Sequence, residues 1–419
     1  MRSVRPGWAL FVLTAISTCG FIDRVIMNVL VHPIKQEFRL SDTQIGLLGG
    51  FAFALLYVLL GLWVARLAER RRRVTLIGVG TFLWSVATAL CATAASFVTL
   101  FLARVGVGVG EAVGLPSSQS VVSDYFPKEK RTTAISVLVL APPIGAFLGL
   151  TCGGLIAQEW GWRWAFLIAA APVFLLSALL LLTVGEPARG QHDGLGAEAD
   201  TVPPLGAVLA RMWRRHSFRH LLAGSTIASA AGFGVNLFLL TYFVRRYDFS
   251  LAEAGLITGL IASLPAVLGV VGSGWLTDRL ARRDARAYAT VPGLCMLLTT
   301  PLYILAVTRE SAGAAIALLA LVTLIQYNYL GPSQGVFQNL MHPRMRATST
   351  AVIGIFYSLI GAGLGPWLVG GLSDHFAAAH GPAIGLMIAL ALTALLYLWA
   401  ALHFFLAARR IREELALPL

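Results

Sequence analysis

The feature that most constrains this chain is a succession of long apolar runs, separated by short polar or Gly/Pro-containing breaks. A helix needs about 20 predominantly apolar residues to cross the hydrocarbon core of a bilayer. The sequence therefore predicts an all-α membrane protein with twelve transmembrane helices. The predicted spans are 7–31, 44–65, 74–92, 97–123, 133–157, 163–183, 219–244, 251–275, 287–307, 312–338, 348–371 and 381–406.

Composition excludes several classes of protein. Hydrophobic residues make up 57% of the 419 residues and charged residues only 12%, whereas soluble domains are about 25% charged. A cytosolic enzyme, a secreted disulfide scaffold and a disordered regulator are excluded on this ground. The net charge of +12 does not indicate a nucleic-acid partner, because the basic residues cluster between the apolar runs, as loop charges of membrane proteins do.

Motifs for catalysis or cofactor binding are missing from the sequence. The eight histidines show no metal-ligand spacing, and there is no P-loop or nucleophile motif. The glycine-rich run from Gly106 to Gly110 lies inside a predicted span, whereas a nucleotide-binding loop follows a strand. We therefore predict no enzyme, no cofactor and no metal site.

The chain is predicted to consist of two similar six-helix bundles. The longest polar interruption separates an N-terminal bundle, residues 1–184, from a C-terminal bundle, residues 219–419, with a cytoplasmic linker at 185–218. Two motifs of the first half recur 209 residues later: 44–47 matches 253–256 and 65–73 matches 274–282. A third echo, 127–149 with 343–365, has an offset of 216. These echoes indicate parallel repeats about an axis along the membrane normal.

Basic residues predict the orientation. With the N-terminus in the cytoplasm, 24 of the 32 Lys and Arg residues lie on the cytoplasmic side and 6 on the opposite side. Such a bias follows the positive-inside rule. We expect a multi-pass protein of the plasma (inner) membrane with both termini cytoplasmic.

The loop between predicted spans 8 and 9 resembles the loop signature of the major facilitator superfamily. The second-half copy runs from Gly274 to Arg283; the first-half copy departs from the signature, with Ala65 for Gly, Glu69 for Asp and Arg72 for the second Gly. A carboxylate at a helix end flanked by arginines can hold a cytoplasmic gate in one state. The predicted gating residues are Glu69, Arg70, Arg73, Asp278, Arg279 and Arg282.

Within that superfamily, the first 190 residues resemble bacterial Spinster-like transporters. The motifs are 21–24 (FIDR), 40–48 (LSDTQIGLL), 104–112 (RVGVGVGEA), 123–127 (SDYFP) and 161–163 (GWR). In the second half the resemblance depends on the gate loop and on the glycines before Pro366. The resemblance implies the major facilitator fold, a lysophospholipid or sphingoid phosphate as substrate and, in some members, proton coupling.

Four charged residues fall deep inside predicted spans: Asp23, Arg24, Arg104 and Glu111. Burying an ionisable group in a membrane costs several kcal/mol, so such residues usually face a cavity or a partner and serve transport. We expect one network in which Glu111 and Asp23 bind and release the proton, because burial disfavours a charged carboxylate. Arg24 or Arg104 would compensate the charge of Asp23. A permanent salt-bridge cluster that only fastens helices is the alternative.

The second half has no ionisable residue deep in a span, and its candidate cavity lining is polar-neutral and aromatic, with Asn236 and Tyr357 as the favoured residues. A charged wall facing an aromatic wall suits an amphipathic substrate. Its head group would lie near Arg24 or Arg104 and its tail along the second half.

We therefore predict a secondary active transporter that works by alternating access, coupled to or regulated by protons, and carries an amphipathic lipid-like molecule. The alternatives are a proton-coupled transporter of small organic anions and a drug/proton antiporter. A membrane sensor is disfavoured because it would usually carry a larger soluble output domain than the linker provides. A channel is disfavoured because both halves carry a gate loop. The expected partners are membrane lipids, the substrate and protons, and a monomer suffices.

Overall fold

The structure is a computed structural model of the whole chain. It describes residues 6–52, 54, 71–111, 114–127, 134, 137–138, 140–188, 204–342 and 345–416. All regular structure in these ranges is helical.

Within the described ranges, the first half contains seven helical segments and one π-helical turn. They are α1 Pro6–Phe38, α2 Asp42–Gly46, the π-helical turn Leu47–Phe51, α3 Arg73–Ala92, α4 Phe97–Glu111, α5 Gly114–Tyr125, α6 Ala141–Glu159 and α7 Trp162–Thr183.

The remainder contains ten helices and a second π-helical segment. They are α8 Leu205–Arg214, α9 His216–Tyr247, α10 Leu251–Ala281, α11 Ala287–Val307, α12 Ala312–Gln326, α13 Leu330–Leu340, α14 Arg346–Phe356, the π-helical segment Tyr357–Leu364, α15 Gly365–His380, α16 Pro382–Ala408 and α17 Ile411–Ala416.

The helices follow the predicted spans, and the fold class is confirmed. Ten helices of the described part are long and apolar enough to cross a membrane. Of the remaining two spans, the second lies mostly outside the described residues, and the fourth comprises α4 and α5, between which 112–113 are outside the described residues. The tenth span is interrupted at 327–329, between α12 and α13. Local chemistry starts some of the helices: Ser41 and Gln44 form a reciprocal capping box at α2.

The predicted linker contains a helix, α8, which the sequence analysis did not identify. Its buried residues, Val208 and Met212, are four positions apart and so lie on one face. This local amphipathic pattern is too short to stand out beside the transmembrane spans.

The described chain forms two compact units. Unit 1 comprises 1–40, 51–199 and 249–259, and unit 2 comprises 41–50, 200–248 and 260–419. By these contacts, α2 belongs to unit 2 although it lies in the first half of the sequence. The first turns of α10 belong to unit 1 although they lie in the second half. The predicted boundaries of the six-helix bundles stay a prediction.

In unit 2, α2 and α15 cross with their backbones in contact at glycines. A methyl group added to Gly46 would lie 2.4 Å from the carbonyl oxygen of Pro366. One added to Gly370 would lie 2.2 Å from the carbonyl oxygen of Asp42. Real Cβ atoms do not approach backbone that closely, so any side chain at these positions would force the helices apart.

Unit 1 repeats this crossing between α6 and the start of α10. A methyl group on Gly255 would lie 2.4 Å from the carbonyl oxygen of Leu150, and one on Gly154 would lie 2.5 Å from that of Leu251. The four positions correspond to those of the crossing in unit 2 by the offsets of 209 and 216 residues found in the sequence. The internal repeat is therefore reproduced in the packing of individual glycines.

Candidate functional site

The intramembrane charges of unit 1 form two ion pairs between α1 and α4. In the inner pair, Arg104 donates from Nη1 to Oδ2 of Asp23 at 3.2 Å. Both residues are almost completely buried. Thr88 of α3 donates its hydroxyl to the other carboxylate oxygen of Asp23 at 3.0 Å. Asp23 is thus held from two neighbouring helices.

The second pair joins Arg24 to Glu111 through Nε of the arginine and Oε1 of the carboxylate. The two partners differ in exposure: the Arg24 side chain is 31% exposed and that of Glu111 is 9% exposed. The other oxygen of Glu111, Oε2, is buried and has no hydrogen-bond partner among the described residues. Glu111 therefore has an unused acceptor, while its arginine partner is accessible.

A small cavity borders this second pair. It is lined by Arg24 and Glu111 together with Ile16, Ser17, Gly20, Phe21, Thr81, Trp84 and Gly110. A Cβ atom at Gly20 would make only an ordinary contact, 3.4 Å from Oε1 of Glu111, so the carboxylate lies directly against α1. The cavity wall is mostly apolar with one arginine and one carboxylate.

The structure brings together all four of the charged residues predicted as a network: they form two bonded pairs, and Glu111 also interacts electrostatically with Asp23 and Arg104. Arg104, predicted as a possible substrate contact, is buried against Asp23, whereas Arg24 lines the cavity. Sequence reasoning missed Thr88 and Trp84, both on α3. A threonine or tryptophan inside an apolar span gives no signal of its own, because either is an ordinary packing residue.

The residues predicted in the second half lie in unit 2. Asn236 of α9 donates its amide to the hydroxyl of Tyr327 at 2.7 Å, at the break between α12 and α13. Tyr357 begins the π-helical segment before α15, and its buried hydroxyl has no hydrogen-bond partner among the described residues. π-Helical turns often occur at functional sites. Among the described residues, Asn236 and Tyr357 do not share a hydrogen bond.

The predicted gating residues lie in different environments. Arg73 is buried and holds the ends of α5 and α7 together through ion pairs with Asp124 and with Glu186, the latter at 2.8 Å. In unit 2, Asp278 accepts a hydrogen bond from Tyr288 at 3.2 Å, and the Arg279 guanidinium lies over the Trp275 ring. Arg282 makes a backbone hydrogen bond to Asp278. Glu69 and Arg70 lie outside the described residues.

A charged cluster that the sequence did not predict occupies the α2–α15 crossing in unit 2. Arg245 of α9 makes a bidentate ion pair with Asp42, at 2.7 and 2.8 Å. Ser373 of α15 donates to the same carboxylate at 2.7 Å. Such planar, two-point pairing is the strongest form of an arginine–carboxylate contact.

Asp374 completes this cluster by capping the N-terminus of α2. It accepts hydrogen bonds from the backbone N–H groups of Asp42 and Thr43, at 2.8 and 2.7 Å. The equivalent cap in unit 1 is neutral: the Gln158 amide oxygen accepts from the N–H of Ala252 at 3.1 Å. The offsets of the sequence repeat relate the two caps. This relation is the sequence signal from which the role of Asp374 could have been predicted.

Among the described residues, no group of three or more His, Cys, Asp or Glu side chains could hold a metal ion. The charged side chains of the site are paired with each other instead. The arrangement can bind an anionic group at Arg24 and a proton at Glu111.

Comparison with known proteins points to one family. The sequence model of the Major Facilitator Superfamily matches residues 13–366. A protein described as an MFS-type efflux pump from Mycolicibacterium smegmatis is 34% identical over 413 residues, which cover 98% of this chain and 95% of that protein. A sphingosine-1-phosphate transporter of Danio rerio is 28% identical over 397 residues, covering 89% of this chain and 77% of the relative.

A solved structure agrees with these sequence relatives. The crystal structure of a bacterial homologue of the human lysosomal transporter Spinster, described as inward-facing and unoccupied, superposes with a TM-score of 0.92. It is 29% identical in sequence, and the match covers 99% of each chain. The resemblance to Spinster-like proteins therefore extends through the second half, where the sequence motifs were few.

Proposed function

Since this chain belongs to the major facilitator superfamily, it is a multi-pass membrane transporter of small molecules rather than an enzyme, and we propose that protons drive or regulate its transport of an amphipathic anion. The proposed substrate class is a lysophospholipid or a sphingoid phosphate, moved by alternating access. The observation that carries this proposal is the cavity-lining pair of an accessible Arg24 and a buried Glu111.

The pair supports coupling because an anionic head group and Glu111 would compete for one guanidinium. When a phosphate binds Arg24, the carboxylate of Glu111 loses its counter-ion in a site that is 9% exposed. An uncompensated buried charge is costly, so Glu111 would take up a proton. Substrate and proton would therefore bind together, and the inner pair of Asp23 and Arg104 would stay neutral as a unit.

Residues of the second half and the relatives both support a substrate with a lipid tail. Asn236 and Tyr357 are the proposed contacts in unit 2, the latter with a buried hydroxyl that has no hydrogen-bond partner among the described residues. Relatives described as sphingosine-1-phosphate transporters carry a substrate with an anionic head and a long apolar tail. The proposed substrate of this chain has the same two chemical parts.

A second candidate is a drug/proton antiporter, favoured by the similarity to an efflux pump. In that case a lipophilic cation would bind the Glu111 carboxylate and displace its proton. The two candidates predict opposite effects of pH. Binding of an anion at Arg24 would tighten as pH falls and Glu111 is protonated, whereas binding of a cation at Glu111 would weaken.

The test uses the purified protein in proteoliposomes with an internal pH dye. A lysophospholipid, a sphingoid phosphate, a small organic anion and a lipophilic cation are added one class at a time. We expect the two anionic lipids to produce proton movement in the same direction as substrate, together with tighter binding at pH 6 than at pH 8. Proton movement with the cation alone, and in the opposite direction, would replace this proposal by the antiporter.

The remaining proposals concern the orientation of the chain in the membrane, the boundaries of the bundles and the oligomeric state. Both termini are proposed to face the cytoplasm of an inner membrane, with bundles at 1–184 and 219–419 and the monomer as the working unit. A fluorescent-protein fusion at the C-terminus should be fluorescent, and an alkaline phosphatase fusion there should be inactive. The gating role of Arg73, Asp278, Arg279 and Arg282, with Glu69 and Arg70, belongs to the same proposal.

A further inference from the structure

The linker helix α8 carries an apolar stripe that the protein covers only in part. Val208 and Met212 are buried, whereas Leu205, Leu209 and Trp213 are 51%, 40% and 58% exposed. At about 100° per residue, these five side chains form one continuous apolar arc around the helix. The protein thus buries one side of the arc and leaves the other side open.

The position of α8 determines what can cover this exposed side. Only Arg215 separates α8 from α9, a helix long and apolar enough to cross the membrane. Glu414 of α17 caps the start of α9 by accepting from the N–H groups of His216 and Ser217. The helix is therefore tied to the end of a helix that is long and apolar enough to cross a membrane.

Charge on the other face of α8 indicates the type of lipid. Arg211 and Arg214 lie in its last turn, followed by Arg215. Arg214 is exposed, whereas Arg211 is half-buried and donates from Nε to the carbonyl oxygen of Leu340 at 3.3 Å. The sequence from 204 to 220 contains no acidic residue. A surface that is basic on one face and apolar on another is typical of helices that lie in the membrane interface.

We propose that α8 is a membrane-surface helix that inserts Leu205, Leu209 and Trp213 beside the bundle and binds anionic lipid head groups through Arg214. This contact differs from the transport site, since it lies on the linker and not in the cavity of unit 1. It does not depend on the identity of the transported substrate.

The first test locates the stripe. A fluorescent NBD label is attached to Leu209→Cys, or to Ala207→Cys as the matched control, in a full-length protein whose four native cysteines are replaced by alanine. Both positions are exposed and lie about 160° apart around the helix axis. In nanodiscs, a doxyl-labelled lipid should quench the label at 209 strongly and that at 207 weakly. Equal quenching at the two positions, or none at 209, would overturn the proposal.

The second test measures the charge contact in the protein with its native cysteines. Phosphatidylglycerol should raise the melting temperature of the wild type above its value in phosphatidylcholine. Arg214→Gln should weaken the binding of phosphatidylglycerol about fivefold, as expected for one basic residue near an anionic surface. Arg283→Gln, which removes another exposed arginine, serves as the control and should leave binding unchanged. An equal response of both variants to phosphatidylglycerol would contradict the role of Arg214.

Discussion

Replacing Glu111 by glutamine should abolish substrate-dependent proton movement while the protein still binds anionic lipid. Glutamine has nearly the same shape as glutamate but cannot take up the proton, and it leaves Arg24 without its competing carboxylate. We expect proton movement to fall to the leak level of empty liposomes. Binding of the anionic lipid should tighten about tenfold, an energy change of about 1.4 kcal/mol, and should lose its dependence on pH.

Glu253→Gln provides the matched control for this experiment. Glu253 lies in the first turn of α10, is exposed and caps its own helix through Ser250. The variant should move protons at the wild-type rate. Asp23→Asn tests the second predicted acid, and loss of folding is the risk there because the buried Arg104 loses its partner. Wild-type proton coupling in both Glu111→Gln and Asp23→Asn would overturn the assignment of these carboxylates.

Gly370→Ala should open the crossing of α2 and α15, which we propose keeps the outer side of the transporter closed. The added methyl group would lie 2.2 Å from the backbone oxygen of Asp42, so the clash cannot be relieved by a side-chain rotation. Overpacking of this kind costs about 1–3 kcal/mol. We expect the closed-to-open ratio to fall by about 30-fold for a cost of 2 kcal/mol.

The measurement is the rate at which a membrane-impermeant maleimide labels Ile45→Cys from outside, in a protein without native cysteines. Ile45 is fully buried in α2, so labelling should be slow until the crossing opens. Gly371→Ala is the control on the neighbouring residue, where the methyl group would have only an ordinary contact, 3.9 Å from Thr43. Equal labelling rates in the two variants would show that the crossing does not limit access.

The unit 1 crossing offers an independent repeat of this comparison. Gly154→Ala would place a methyl group 2.5 Å from the Leu251 oxygen, whereas Gly153→Ala would be 3.4 Å from the nearest side-chain atom. We expect only the former to increase access at its crossing. Gln158 caps this crossing without a charge, whereas the crossing in unit 2 contains the buried ion pair of Asp42 and Arg245.

The sequence by itself determined the membrane class, the helical fold, the repeat and the residues whose charge is out of place. These features are local or periodic: an apolar run long enough to cross a bilayer is visible in any stretch of about 20 residues. An intramembrane charge such as Asp23 or Glu111 is conspicuous because the surrounding residues are apolar. The repeat is visible because it preserves spacing, and the crossings at Gly46 and Gly255 follow it.

Only the tertiary structure decided which charge pairs with which. Arg24 follows Asp23 directly in the chain, yet it pairs with Glu111 and leaves Asp23 to Arg104 and Thr88. Likewise, Asp42 meets Arg245 across 203 residues of sequence. Side-chain pairing depends on distances of a few ångströms between helices far apart in the chain, and no local pattern encodes those distances. The half-covered stripe of α8 has the same origin, since burial of Met212 but not of Leu209 depends on what packs against the helix.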